Sequence, residues 1–125
     1  MSCLISSIHY CPVKSLSYQS LNSCNIKKNL GIINDRAFAF SRGIDLDKAK
    51  LIENNPNERK LNHLLTLKNS PSLNKYNFVY KNDELSLIKN DEKLISISIN
   101  NLEEHSNLSN KLIELESSLL KPIFL

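Results

Sequence analysis

The feature that most restricts this chain is a set of three short alternating runs in its last third. Tyr76, Phe78 and Tyr80 recur at every second position, Leu85 and Leu87 repeat the pattern, and Ile95, Ile97 and Ile99 alternate with Ser96, Ser98 and Asn100. A period of two places apolar side chains on one face of a strand and polar ones on the other. The runs are separated by Lys81-Asn82-Asp83 and Asn90-Asp91-Glu92, both rich in turn formers. The spacing predicts an antiparallel meander over 76–100, and such meanders belong to small mainly-β folds, with a small β-barrel as the expected architecture.

Upstream, Cys3 to Tyr10 and Leu21 to Lys27 are β-prone, and the Ser15–Ser20 connection is short enough for a hairpin-like return. Phe38 and Phe40 fall on one face of a third expected strand and Ala37 and Ala39 on the other, which suits a curved wall. The β signal stops over 41–62. There Asp45 to Glu53 has helical apolar spacing and acidic residues in its first turn, ahead of Asn54-Asn55-Pro56. This excursion reads either as an elaborated loop or as a lid. Asn101 with Glu104 reads as an N-cap pair opening a helix to about Leu120, with Leu108, Leu112, Leu115 and Leu119 on one stripe. Lys121-Pro122 stops it, and Ile123-Phe124-Leu125 begins a strand. The organisation expected is a β-barrel over 1–100, with a short inserted helix, followed by a helix and the start of a connection over 101–125.

Composition narrows the function. With 16 basic and 13 acidic residues the net charge is +3, too mild to require nucleic acid, and a chain with 6% aromatic residues and no tryptophan lacks the stacking surface of single-strand binders. No apolar run approaches the ~18 residues of a membrane span. Cys3, Cys11 and Cys24 form no Cys-x-x-Cys pair, which fits a reducing, cytoplasmic setting. His9, His63 and His105 have no partners at zinc spacing, and with Gly31 and Gly43 as the only glycines a glycine-rich phosphate loop is excluded.

The chemistry gathers at Tyr10-Cys11-Pro12-Val13-Lys14-Ser15-Leu16. Pro12 ends regular pairing, and an ammonium and a hydroxyl follow at once beside loop N–H groups. This is either a solvated turn or a site for an anion. Leu30-Gly31-Ile32-Ile33-Asn34-Asp35-Arg36 adds a guanidinium, which reads either as a strand-end arginine paired with Asp35 or as a fork for phosphate oxygens. Together with Leu65-Thr66-Leu67-Lys68-Asn69-Ser70-Pro71-Ser72-Leu73, these blocks resemble the N-terminal β-barrel domain of MOSC proteins, the molybdenum cofactor sulfurase and amidoxime-reducing family. The long excursion and Lys68, where that family often has arginine, depart from its pattern.

The resemblance implies a part of a molybdenum-dependent oxidoreductase that reduces N-hydroxylated compounds. Lys14, Ser15 and Arg36 would hold the pterin and phosphate of the molybdenum cofactor (molybdopterin). A C-terminal MOSC domain in cis, beyond these residues, would carry the metal thiol, with a redox partner protein supplying electrons. No catalytic residue or metal ligand is expected within the 125 residues, and Cys11 reads as a small semi-buried hydrophobe. Other readings of the same residues are a free-standing barrel that binds an anionic ligand or a partner protein without catalysis, and an OB-like nucleic-acid binder, which the sparse aromatics disfavour.

Overall fold

A computed structural model describes residues 3–117, 119 and 122–125. The fold is small and mainly β, and its described strands pair into four separate small sheets rather than one closed barrel. The meander is the largest: β6 (Asn77–Lys81), β7 (Glu84–Lys89) and β8 (Glu92–Ser98) pair antiparallel in the order β6-β7-β8. Its two turns are Asn82-Asp83, with φ of 52° and 60°, and Asn90-Asp91, with φ of 52° and 62°. Paired left-handed residues make the two-residue hairpin turn whose twist matches the strands, and Asn and Asp tolerate it best after Gly. The register sets Phe78 opposite Leu87 and Leu87 opposite Ile95, while Leu85 joins Tyr80 to Ile97. One apolar face results, and Phe78, Leu85 and Leu87 are at most 1% exposed.

Helix α2 (Leu102–Leu115) covers part of this core, with Leu108 and Leu112 fully buried. Asn101 caps it by accepting from the Glu103 N–H at 3.1 Å. Glu104, expected to close a capping box, instead accepts from the Ser98 N–H at 2.6 Å and ties the helix start to the end of β8. The helix ends at Leu115, short of the expected Leu120, because Glu116 turns inward: its carboxylate accepts from the Tyr76 hydroxyl at 2.8 Å and pairs with Lys75 at 2.6 Å. Leu119 is buried beyond the helix; Leu120 and Lys121 lie outside the described residues.

The expected strand at the C-terminus forms. β9 (Ile123–Phe124) pairs antiparallel with β5 (Ser41–Arg42), and Ile123 joins the same core as the meander. The predicted inserted helix is α1 (Leu46–Asn54), capped by Asp45, whose carboxylate takes the Lys48 N–H at 2.8 Å.

The N-terminal part is less regular than its sequence suggests. Of the strand expected over 3–10, the paired part is β1 (Ile8–Tyr10), against β2 (Gln19–Leu21). The run expected over Leu21–Lys27 splits, since β3 (Ile26–Lys27) turns back on β4 (Gly31–Ile32) through Asn29 and Gly31, both at positive φ. Residues 36–40 form no ladder. A single parallel bridge, Val13 to Phe38, is their pairing, although Phe38 and Phe40 do share a side, packing on Tyr80 and Phe78 with ring centroids 5.4 and 5.7 Å apart.

Side chains join this part to the meander. The outer edge of β6 would leave backbone groups unpaired, but the Phe78 N–H donates to Ser17 Oγ at 2.8 Å and the Tyr80 N–H to Gln19 Oε1 at 2.8 Å. The Tyr80 carbonyl accepts from Gln19 Nε2 at 3.2 Å and from the Tyr10 hydroxyl at 3.1 Å. Among the described residues no helix is long and apolar enough to cross a membrane.

Candidate functional site

The Pro12–Ser15 turn is held by its backbone. Pro12 and Val13 are buried, and the segment runs parallel to 36–38: the Arg36 N–H donates to the Cys11 carbonyl at 2.6 Å, Phe38 N–H to the Pro12 carbonyl at 3.0 Å, and Lys14 N–H to the Phe38 carbonyl at 2.7 Å. Asp35 fastens the same junction, accepting from the Cys11 N–H at 2.9 Å and pairing with Arg36 Nε at 3.5 Å. Two sequence blocks twenty residues or so apart are thereby brought to one corner, with Arg36 in a left-handed conformation at φ 53° and Ser15 at φ 62°. A third is tied on where the Leu67 N–H donates to the Ser15 carbonyl at 3.1 Å.

These contacts border an open concavity of about 410 Å³, lined by Cys11, Ser15, Leu16, Tyr18, Asp35, Arg36 and Leu67. Its volume lies in the range of small-ligand sites. Of the three residues expected to hold a ligand, Ser15 and Arg36 line it and both are exposed. Lys14 is half-buried and is not among the lining residues, and burial together with the positive charges of Arg59 and Arg36 lowers its pKa. The backbone bonds between 11–14 and 36–38 put Lys14 and Arg36 on adjoining segments and not at opposite ends of the molecule.

The loop is closed on itself: the Leu16 N–H donates to the Val13 carbonyl at 3.2 Å, and the buried Cys11 thiol donates to the same carbonyl at 2.8 Å. Burial pushes the Cys11 thiol pKa up, against the opposing effect of the Leu16 and Ser15 backbone groups, and so disfavours the reactive thiolate. Cys3 is exposed and Cys24 half-buried, and neither lies in a strand as their positions suggested.

The Leu65–Leu73 block is a turn rather than a strand. Thr66 Oγ1 accepts from the Asn69 N–H at 3.2 Å while Asn69 Oδ1 accepts from the Thr66 N–H at 3.1 Å, a local exchange that competes with ladder formation. Lys68 is exposed and does not line the concavity. Arg42 is not a solvated surface arginine: it lies in β5, and its Nε is buried without a hydrogen-bond partner among the described residues. His9 meets Ser20 Oγ at 3.2 Å, and His105 Nε2 lies 2.9 Å from the Ile99 carbonyl, so each serves local structure. Among the described residues no three His, Cys, Asp or Glu side chains gather in a way that would hold a metal ion.

Comparison with protein-family models, with characterised proteins and with solved structures yields no match to this chain.

Proposed function

We propose that this chain is the cofactor-phosphate wall of a MOSC-type molybdenum oxidoreductase, built as the small barrel of that family, with Lys14, Ser15 and Arg36 as the groups that grip the phosphorylated pterin. The observation that carries the reading is the run of three backbone hydrogen bonds between residues 11–14 and 36–38, which fastens the lysine-serine turn beside the arginine. The donor set suits the group: an ammonium for point charge, a guanidinium able to take two phosphate oxygens, and an exposed hydroxyl lining the concavity. When bound, the cofactor would supply redox chemistry at its molybdenum, while the residues here bind and orient its phosphorylated end. The metal thiol and substrate pocket would come from a companion MOSC domain, and the chain by itself would not turn over. The barrel reading is supported by the side-chain links of Ser17, Gln19 and Tyr10 to the β6 edge, which continue the wall where a ladder does not.

The same corner also suits a free-standing anion-binding module. Its partner-docking form draws less support from α2, because Leu108 and Leu112 of the leucine stripe are buried in the chain's own core.

The test is to co-express the chain with a MOSC domain in cells that make the cofactor, and to measure retained molybdopterin and molybdenum for wild type and Arg36→Ala. Arg36 has a side chain 65% exposed, so its loss leaves the fold intact by circular dichroism. Retention is expected to fall about tenfold, the scale of one charge-assisted phosphate contact. Wild-type protein that retains no cofactor, or a variant that retains as much as wild type, overturns the reading.

A further inference from the structure

We infer that the hairpin of β3 and β4 is a docking tip for an anionic lipid surface, with Ile26, Leu30 and Ile33 entering the headgroup layer and Lys27 and Lys28 meeting the lipid phosphates. The hairpin shares no residue with the concavity, and the inference does not rest on the cofactor reading. It is a self-contained unit: Ile26 pairs with Ile32 and Lys27 with Gly31, the Leu30 N–H donates to the Lys27 carbonyl at 3.1 Å, and the Ile33 N–H closes the base on the Asn25 carbonyl at 3.0 Å. Every residue from Asn25 to Gly31 is exposed. Ile26 is 76%, Leu30 66% and Ile33 42% exposed, so the tip holds in water an apolar surface that the chain's own core does not cover.

Charge says what covers it. All 13 acidic residues lie at Asp35 or beyond, so residues 1–34 carry Lys14, Lys27 and Lys28 and no carboxylate. Those lysines equal the chain's net charge of +3, and beyond Asn34 basic and acidic residues balance. Exposed apolar residues elsewhere have different neighbours. Leu46 stands between Asp45 and Asp47, and Leu102 precedes Glu103 and Glu104, so an anionic surface repels both places. The carboxylate nearest the hairpin along the chain is Asp35, which is engaged by Arg36 and by the Cys11 N–H. Lys27 and Lys28 thus set positive charge directly between Ile26 and Leu30, with no acid in the same stretch to oppose it.

The small size of the tip favours lipid over a protein partner. A stable protein interface takes about 20–30 residues a side, whereas a headgroup layer yields around a few side chains and needs no complementary groove. Lysine stems lie along apolar surface while their ammonium groups reach phosphates, so the two kinds of contact form together. Among the described residues neither strand of the hairpin pairs with a third, and hydrocarbon does not tolerate open backbone edges. The contact is therefore confined to the interface, at headgroup depth.

The experiment sediments the purified chain with vesicles of phosphatidylcholine alone and of phosphatidylcholine mixed with phosphatidylserine. Wild type is expected to partition onto the phosphatidylserine vesicles, hardly onto the others, and to be released as added salt screens the charges. Leu30→Ser should weaken partitioning about tenfold, the scale of one large apolar side chain returned to water. Lys27→Ala with Lys28→Ala should weaken it about twenty-five-fold, from about fivefold per lysine near an anionic surface. Leu102→Ser, at a residue 80% exposed but followed by two glutamates, should bind as wild type does. Because the chain has no tryptophan, Leu30→Trp places a single fluorophore at the tip, whose emission should shift to the blue with phosphatidylserine vesicles and not with phosphatidylcholine. Equal partitioning onto both lipids, no partitioning, or hairpin variants that bind as wild type does overturns the proposal. So does a wild-type chain that self-associates without vesicles and turns monomeric on Leu30→Ser, which would make the hairpin a contact between copies.

Discussion

The meander with α2 and the region from β1 to β5 share one hydrophobic core, yet they are held together by different means. In β6, β7 and β8 the backbone bonds to itself over five to seven residues per strand, and the two turns adopt the conformation that hairpin twist demands. Between β1 and β5 no strand exceeds three residues, four of the positive-φ non-glycine residues occur, and single bridges and side-chain amides replace ladders. The candidate site lies in the second region, with Leu67 added from beyond the excursion. Short segments with separate anchors can bring Lys14, Ser15, Arg36 and Leu67 from distant parts of the chain to one corner, which a continuous ladder would spread along a strand. The difference teaches that the regular half supplies stability and the irregular half borrows it.

The strongest way to break that comparison is Phe78→Ala. Phe78 is 1% exposed, and its ring packs against Phe40 from the irregular side at 5.7 Å. Truncating a buried phenylalanine costs about 3–5 kcal/mol, a large share of the ~5–15 kcal/mol that holds a typical domain. Urea unfolding followed by circular dichroism should show a single transition at much lower denaturant. Native-state hydrogen exchange should show the Arg36 and Phe38 amides losing protection together with those of β7. If the Arg36 and Phe38 amides keep their protection while the meander opens, the irregular half is independently stable and the comparison is wrong.

Gln19→Ala sharpens the boundary between the halves. The Gln19 amide accepts from the Tyr80 N–H and donates to the Tyr80 carbonyl, so it acts as a one-residue substitute for a neighbouring strand. Its removal leaves a partly buried N–H without a partner, at about 1–2 kcal/mol. Faster exchange of the Tyr80 amide, with the β7–β8 amides unchanged, is the expected result; uniform loss across the sheet would show that the link is not local.

How far the sequence discloses this molecule follows the same division. The meander was legible because alternation and Asn-Asp turns are local signals, and α1 and the start of α2 because Asp45 and Asn101 cap by local bonds. The lysine-serine turn and Arg36 were legible as residue types at a rim. Their meeting was carried by parallel backbone bonds between distant segments, which leave no periodic trace. The strand expected at 36–40 failed for that reason, and the Leu65–Leu73 block turns because the Thr66–Asn69 exchange satisfies the backbone locally.

The smallest effect concerns the end of α2, where sequence and structure part most plainly. No Gly or Pro stands at Leu115, and the helix stops where the buried Glu116 meets Lys75 and the Tyr76 hydroxyl. The Lys75 bond is the main cause that holds the Glu116 carboxyl below its ordinary value, against the opposing effect of burial, while burial and the Glu116 bond push the Tyr76 phenol up to about 12. A carboxyl with a lowered folded pKa contributes stability above its unfolded value, and that contribution is lost as the pH falls below about 4.5. A phenol with a raised pKa does the reverse, so stability should decline again between pH 10 and about 12. Glu116→Gln keeps the shape and removes the charge. It should cost under about 1 kcal/mol at neutral pH, since Lys75 is partly exposed, flatten the acid limb of the melting-temperature profile, and move the alkaline limb to lower stress by bringing the phenol pKa down. An acid limb that survives the substitution unchanged would mean that other carboxylates set it, and that the helix end is fixed by packing of Leu119 rather than by the ion pair.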